Sequence, residues 1–386
     1  MGSTSTTPGE ALQAMSPDSD PAILAPVSEH DDLRVVARAI LSDHAGFDHL
    51  LSTIDVPAAQ AAAQREQLWS LLTSELDVAG MAVPERLGGS GYGLRELGVV
   101  LEEAGASLVS APLLSSAVLG VQALLMADDP SVVQDLLSDA VRGTRLLTVW
   151  FGQQDTLRAD QTPTGWVVTG LATRVLDGDA VGHVVVPARS ETGTVLLLAD
   201  LSSTAAVRRE GVDPTRIQAD LELSAAPALL IAGPATAAAV LARLATLRDL
   251  AVSAEHAGIV AHLLDLTVDF VRTRQQFGRP IGSFQAIKHR LADVLVDRER
   301  CLSASRYAAA MFDADPGGAA VAAAVAAAVT TGAVVRVAHE AVQLHGGIGF
   351  TWEHQAHLYV RRALADEGMF GSAHQHRLRL ADLLAL

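Results

Sequence analysis

The stretch RTRQQFGRPIGSFQAIKHRLADVL, Arg272 to Leu295, decides how the rest of this chain is read. It begins as a helix end, passes through a turn and begins a second helix. FGRPIGS cannot be helical throughout, because Pro280 and two glycines interrupt it. Ser283 is placed to cap the second helix, whose first backbone N–H groups would face an anion. Arg272, Arg274 and Arg279 surround the turn. Arginine holds phosphate through paired hydrogen bonds, so residue chemistry alone gives two readings: a phosphate site, or a solvated basic turn between helices.

Helical patterning extends in both directions from this point. Upstream, LARLATLRDLAVSAEHAGIVAHLLDLTVDFVRTR reads as one helix of about nine turns. Downstream, helices are expected over about Ser283–Phe312 and Gly318–Leu344, the latter ended by Gly346 and Gly347, with a last helix after Glu353. Nearer the N-terminus, LRVVARAILSDH, AAAQREQLWSLLTSEL and LRELGVVLEEAG each place apolar residues three and four apart. Between these regions, TGWVVTGLATRVLDGDAVGHVVVPA and GTVLLLADL are short β-branched runs broken by Gly and Asp, the pattern of an antiparallel sheet. The expected class is α+β and mostly α. Residues 1–31 form a flexible tail, 32–143 a helical domain, 144–232 a β-domain, and 233–386 a helical bundle.

Composition narrows the function. The chain has 386 residues and a formal net charge of −16, which makes it a poor candidate for non-specific nucleic-acid binding, though a local basic patch can still serve one phosphorylated ligand. The single cysteine, Cys301, cannot form an internal disulfide, and a cytoplasmic location is expected. No membrane span is expected: the longest apolar run, GGAAVAAAVAAAVTTGAVVRVAHEAV, is alanine-rich and is interrupted by Arg336 and His339. The N-terminal residues lack the basic start and apolar core of a secretory signal. No metal site is expected. His354 and His357 are three apart and His374 and His376 two apart, but no third ligand has metal spacing.

TRQQFGRPIGSFQAIKHRLAD resembles the acyl-CoA dehydrogenase signature, and so does AVQLHGGIGFTWEHQAHLYVRRA. LWSLLTSELDVAGMAVPERLGGSGYG and VVLEEAGASLVSAPLL resemble the opening of that family's N-terminal domain and its next helix. The resemblance implies the family's fold: an N-terminal helical domain, a middle β-domain and a C-terminal four-helix bundle. It also implies FAD, an acyl-CoA substrate and an electron-transfer flavoprotein as electron acceptor. In that family FAD lies across a subunit interface, and these two C-terminal motifs contact the neighbour's pyrophosphate and adenosine. Carried over by resemblance, Arg274 approaches the pyrophosphate and Phe277 and Gln285 line the cofactor. Gln343, Gly346 and Gly347 let the adenosine end approach the backbone.

The residues expected around the flavin ring differ from the family's. Where members carry a loop of the type A-x-T-E-P-x-A-G-S-D, this chain has LLTVWFGQQDTLRAD, with bulky Trp150 and Phe151 and with Gln153-Gln154-Asp155. Where members read K-x-W-I-T-N, it has ATRVLDGDA, Ala172 to Ala180, with no aromatic to cover the ring. The family removes an α-proton with a carboxylate while hydride leaves the β-carbon for the flavin. Counting from Arg361 and Arg362, the usual glutamate falls at Phe370, which takes no proton. A minority of members place the base at the position of Arg248; its neighbour Asp249 is about 100° away around the helix. Asp249 is read first as a salt-bridged or solvated residue and second as a displaced base. Glu255, Asp366 and Glu367 have no motif support, and His345 is a lone histidine beside the double glycine.

The resemblance therefore implies an oxidoreductase subunit of the kind found in actinobacterial α2β2 heterotetramers, some of which handle bulky lipid or steroid thioesters. In these, a paralogous subunit with an intact glutamate carries the chemistry, and a chain like this one completes the FAD site. Two alternatives stand beside it: a self-sufficient homotetramer with a displaced base, and a flavin-free scaffold of the same fold.

Overall fold

The computed structural model describes residues 27–54, 56–152 and 156–386. They divide into two compact units. One contains the described residues up to Phe47, Leu94–Val109 and Asp249–Leu386; the other contains Asp48–Gly93 and Ser110–Arg248.

The helices are α1 (Ser28–Ala45), α2 (Phe47–Ile54), α3 (Ala58–Leu76), α4 (Leu94–Ala106), α5 (Val121–Leu125), α6 (Gln134–Val141), α7 (Ala237–Thr273), α8 (Gln285–Ala314), α9 (Ala320–His345), α10 (Ala356–Phe370) and α11 (Ala373–Leu383). A π-helical segment, Leu113–Gly120, leads into α5. α1 begins within the stretch expected to be a flexible tail, because Glu29 and Asp31 place negative charge on its first turn. The remainder of that tail expectation, residues 1–26, lies outside the described residues.

The second unit holds a mixed sheet of β1 (Leu147–Val149), β2 (Leu157–Thr162), β3 (Gly165–Leu176), β4 (His183–Ser190), β5 (Gly193–Asp200), β6 (Ala206–Arg209) and β7 (Gln218–Ala232). The order is β1-β4-β2-β3-β7-β5, and β5 also pairs with β4, so five of the strands close on themselves. Most pairs are antiparallel. The antiparallel expectation is corrected at β4, which both β1 and β2 join in parallel, Leu147 opposite His183 and Arg158 opposite Arg189. The β2–β3 hairpin, between β1 and β4 in sequence, supplies the crossover that parallel pair needs. On β4 and β5, Val184, Val185 and Val186 and Leu196, Leu197 and Leu198 are all buried. Burial on both faces explains why these runs are continuously apolar rather than alternating.

In the first unit, α9 packs against α8, α10 and α11, and α4 packs against α1 and α8. Residues 249–260 of α7 are buried on every side. Two glycines permit α4 and α7 to touch backbone to backbone: a Cβ on Gly105 would lie 2.1 Å from the carbonyl oxygen of Glu255, and one on Gly258 would lie 1.7 Å from that of Glu102. α9 is the one helix among the described residues long and apolar enough to cross a membrane, and its window is 56% buried, as in a core helix.

Candidate cofactor site

α7 ends at Thr273, and the chain turns through a two-stranded hairpin, β8 (Gln275–Gln276) and β9 (Arg279–Pro280). Phe277 and Gly278 occupy its tip with φ of 54° and 76°, the positive pair that a tight two-residue hairpin turn requires. Phe277 is 90% exposed. Arg272, Arg274 and Arg279 are exposed too, and none of them has a carboxylate partner among the described residues. The Arg279 guanidinium lies 4.0 Å from the centre of the Phe284 ring, whose edge meets Phe277. The helix start differs from the expectation. Phe284 is the capping position, and the Ser283 hydroxyl instead donates to the Pro280 carbonyl at 2.7 Å. Ser283 lies in a short 3-10 turn, so its side chain folds back toward the hairpin. Gln285 opens α8 with its side chain exposed.

The second motif lies at the end of α9. Gln343 is exposed, and Gly346 ends the helix at φ 65°. A Cβ on either Gly346 or Gly347 would meet nothing within 4 Å, so open space lies beside this backbone. The two motifs meet through Phe270, one turn before Arg274, whose ring centre is 4.3 Å from that of His345. His345 in turn lies 4.2 Å from the ring of His354. His345 is buried, and its Nδ1–H donates to the Ala341 carbonyl at 2.7 Å. His357 is also buried, and its Nδ1–H donates to the His354 carbonyl at 2.9 Å. Among the described residues no cluster of three or more His, Cys, Asp or Glu side chains has the geometry of a metal site.

Of the carboxylates near the family's base positions, Asp249, Glu255 and Asp366 are buried and Glu367 is half-buried. Phe370 is the last residue of α10 and half-buried. Asp249 is buried and ion-paired with Arg379 of α11, and His376 Nδ1 lies 4.0 Å from the same oxygen. Glu255 stands 4.0 Å from the fully buried Arg362, and Asp366 stands 3.3 Å from His256. Asp249 and Glu255 thus lie beside arginines inside the bundle, and Asp366 beside a histidine ring. Sequence spacing missed the arrangement because the partners sit on α10 and α11, far along the chain. The Cys301 thiol is buried, and desolvation pushes its pKa up to about 12, so it stays protonated and inert.

In the second unit, Trp150 is packed into the core of the sheet, and its indole N–H donates to the Thr173 carbonyl at 2.9 Å. A Cβ on Gly152 would overlap that indole at 1.9 Å, which explains the glycine. The guanidinium of Arg248 lies over Phe151, 4.8 Å from its centre. Gln153-Gln154-Asp155 lie outside the described residues. In the stretch Ala172–Ala180, Val175 and Leu176 are buried and Arg174 is exposed, with its backbone at φ 54° held by Asp220.

Two family models match the chain: the acyl-CoA dehydrogenase N-terminal domain over residues 28–144, and the acyl-CoA dehydrogenase C-terminal domain over residues 238–385. The acyl-CoA dehydrogenase IpdE2 of Mycobacterium tuberculosis is 33% identical over 347 residues, 88% of this chain and 92% of that protein. The chain belongs to the acyl-CoA dehydrogenase family. The fold of this acyl-CoA dehydrogenase agrees with that assignment. It superposes on a chain of the ChsE4-ChsE5 complex from Mycobacterium tuberculosis with a TM-score of 0.83 at 30% identity, covering 94% of this chain and 98% of that one. It superposes on a chain of a variant of the Tcur3481-Tcur3483 steroid ACAD with a TM-score of 0.81 at 31% identity, covering 93% and 98%. Acyl-CoA dehydrogenases are FAD-dependent oxidoreductases acting on CH–CH bonds. The basic hairpin and open glycine backbone of this chain fit a dinucleotide: three uncompensated arginines suit a pyrophosphate, and the bare Gly346–Gly347 backbone suits close approach.

Proposed function

We propose that this acyl-CoA dehydrogenase acts as the completing subunit of a two-subunit enzyme. Its hairpin and double glycine hold the pyrophosphate and adenosine of an FAD whose ring and substrate sit in a paralogous partner. When bound, FAD supplies the hydride acceptor for α,β-desaturation of an acyl-CoA thioester.

The reading rests on one contrast within a single unit. The residues suited to the dinucleotide are exposed and uncompensated, while the position of the usual family base is Phe370 and Asp249, the carboxylate next to the alternative position Arg248, is closed by Arg379. Arg274 would hold pyrophosphate charge through paired N–H donors. Phe277, at the hairpin tip, and Gln285, at the start of α8, would line the cofactor. Gln343 would bond the adenosine end where Gly346 and Gly347 leave the backbone bare. Trp150, locked in the sheet core, and Arg248, lying over Phe151, leave this chain without the small residues and hydroxyl the family sets beside a flavin ring.

The likeness to chains of ChsE4-ChsE5 and of a steroid ACAD supports a paralogous partner and a bulky, steroid-class thioester. An electron-transfer flavoprotein would receive the electrons. The buried, reduced Cys301 suits a cytoplasmic location.

The test is purification alone and with the paralogue, reading the flavin spectrum and the native mass. The chain alone is expected to be nearly colourless, and the pair to carry FAD in a heterotetramer. One FAD per chain with turnover by the lone protein would establish a self-sufficient enzyme instead. A pair that assembles without flavin would leave only a scaffold.

A further inference from the structure

Three histidines cluster at the edge of the double-glycine turn: the rings of His345 and His354 meet, and His357 is tied to the His354 carbonyl by a hydrogen bond. Phe270 of α7 packs on His345 at 4.3 Å, His345 on His354 at 4.2 Å, and Trp352 closes the other side against His357 at 4.8 Å. The hydrogen bonds set the tautomers. His345 and His357 each give their Nδ1–H to a backbone carbonyl. Each therefore carries its lone pair on Nε2, and both Nε2 atoms are buried with no hydrogen-bond partner among the described residues. His354 accepts the Ala356 N–H on Nδ1 at 3.2 Å, so its proton sits on Nε2. Every ring in this arrangement is neutral.

We infer that His345, His354 and His357 are positioning residues that hold the Gly346–Phe350 turn in its cofactor-ready shape only while all three are uncharged. A proton added to Nε2 of His345 or His357 would be a buried donor with no acceptor. A charge on His354 would sit between two further imidazoles. Among the described residues no carboxylate compensates such a charge. α7 contributes Phe270, the turn contributes no charged side chain, and α10 contributes His357 and the cationic Arg361, whose guanidinium lies over Trp352. Asp269 and Glu353, adjacent in the chain to Phe270 and His354, are exposed. Desolvation holds all three imidazoles below the usual value of 6.5; His354 falls to about 4, with His345 and His357 adding repulsion. A histidine with a depressed folded pKa favours the closed turn fully above about pH 6.5 and progressively less as pH falls toward 4. Taken alone, His354 would raise the open fraction at pH 5 by at most about 30-fold, less where water screens its exposed edge.

The opening is a property of the lone chain; its consequence for FAD rests on the half-site reading above. The experiment is hydrogen exchange of the full chain between pH 7.5 and pH 5, corrected for intrinsic rates. It follows the 343–352 segment against α8, in the wild type, His354→Phe and His345→Phe. Expected is opening confined to the turn as pH falls, with the slope flattened in both variants. Equal slopes in all three proteins would overturn the inference, and so would a pH-independent turn in the wild type. Should a variant fold poorly, an imidazole NMR titration of the wild type decides, because a His354 midpoint near 6.5 contradicts the inference. In the paired complex, turn opening without FAD release would sink the half-site reading alone and leave the role of the cluster standing.

Discussion

The carboxylate of Asp249 is paired with the guanidinium of Arg379 at the start of the buried segment of α7, with His376 beside the same oxygen. Asp249 is 2% exposed, whereas the Arg379 side chain keeps 30% of its surface in water. This geometry describes a clasp between α7 and α11 rather than a free base. Asp249→Asn should lower stability by about 3 kcal/mol, toward the modest end for a broken buried pair because Arg379 can rehydrate. Urea unfolding measures that loss. Turnover per bound FAD in the paired enzyme should not change. Loss of the chemical step with FAD retained would make Asp249 the base.

Arg274 stands on the exposed hairpin with no carboxylate to neutralise it. Arg274→Ala should strip FAD from the complex, since losing a charged hydrogen bond of this kind costs roughly 1.5–3 kcal/mol. That is about tenfold or more in affinity. Thermal unfolding of the lone chain should stay where it was, because an exposed arginine contributes little to the core. Undiminished flavin content in the mutant complex would refute the assignment.

Much of this architecture is legible in the sequence, because long helices and buried strands write strong periodicities. The α7 pattern, the glycines that end α9 and the β-branched runs of β4 and β5 each declare themselves locally. What is not legible depends on partners distant in the chain. Nothing near Asp249 announces Arg379, and nothing near His256 announces Asp366. Ser283 has the residue type of a helix cap, yet the tertiary fold of the hairpin claims its hydroxyl for Pro280. The parallel pairing of β1 with β4 is equally invisible, since three residues of strand carry no sign of direction.

The backbone contact between α4 and α7 predicts a sharp intolerance. A methyl at Gly258 would sit 1.7 Å from the carbonyl oxygen of Glu102, and helix backbones cannot yield as a side-chain end does. Gly258→Ala should destabilise by about 3 kcal/mol or more, at the high end for overpacking, despite alanine's better helix propensity. Gly98→Ala, on the same helix as Glu102 with nothing near its Cβ, is the control and should be neutral or slightly stabilising. Equal denaturation midpoints for the two variants would show that the helices can separate without loss.

Phe370 tests whether this chain is a dehydrogenase that has merely lost its base. If it were, Phe370→Glu should restore turnover to the lone protein. It is expected not to. The stretches that members place against the flavin ring are also replaced here, by Trp150 in the sheet core and by Arg174 to Asp177 with no aromatic among them. A glutamate at the half-buried end of α10, next to Gly371 and the packed His376 ring, would have its pKa raised and tend to stay protonated. Dye-linked oxidation of an acyl-CoA is the measurement, run on the lone chain, on its Phe370→Glu variant and on the paired complex. Activity is expected only in the complex, and should vanish when the partner's glutamate is replaced while Phe370 and Asp249 are left intact. Measurable turnover by the lone variant would show that a ring site survives in this chain, and the completing-subunit reading would fall.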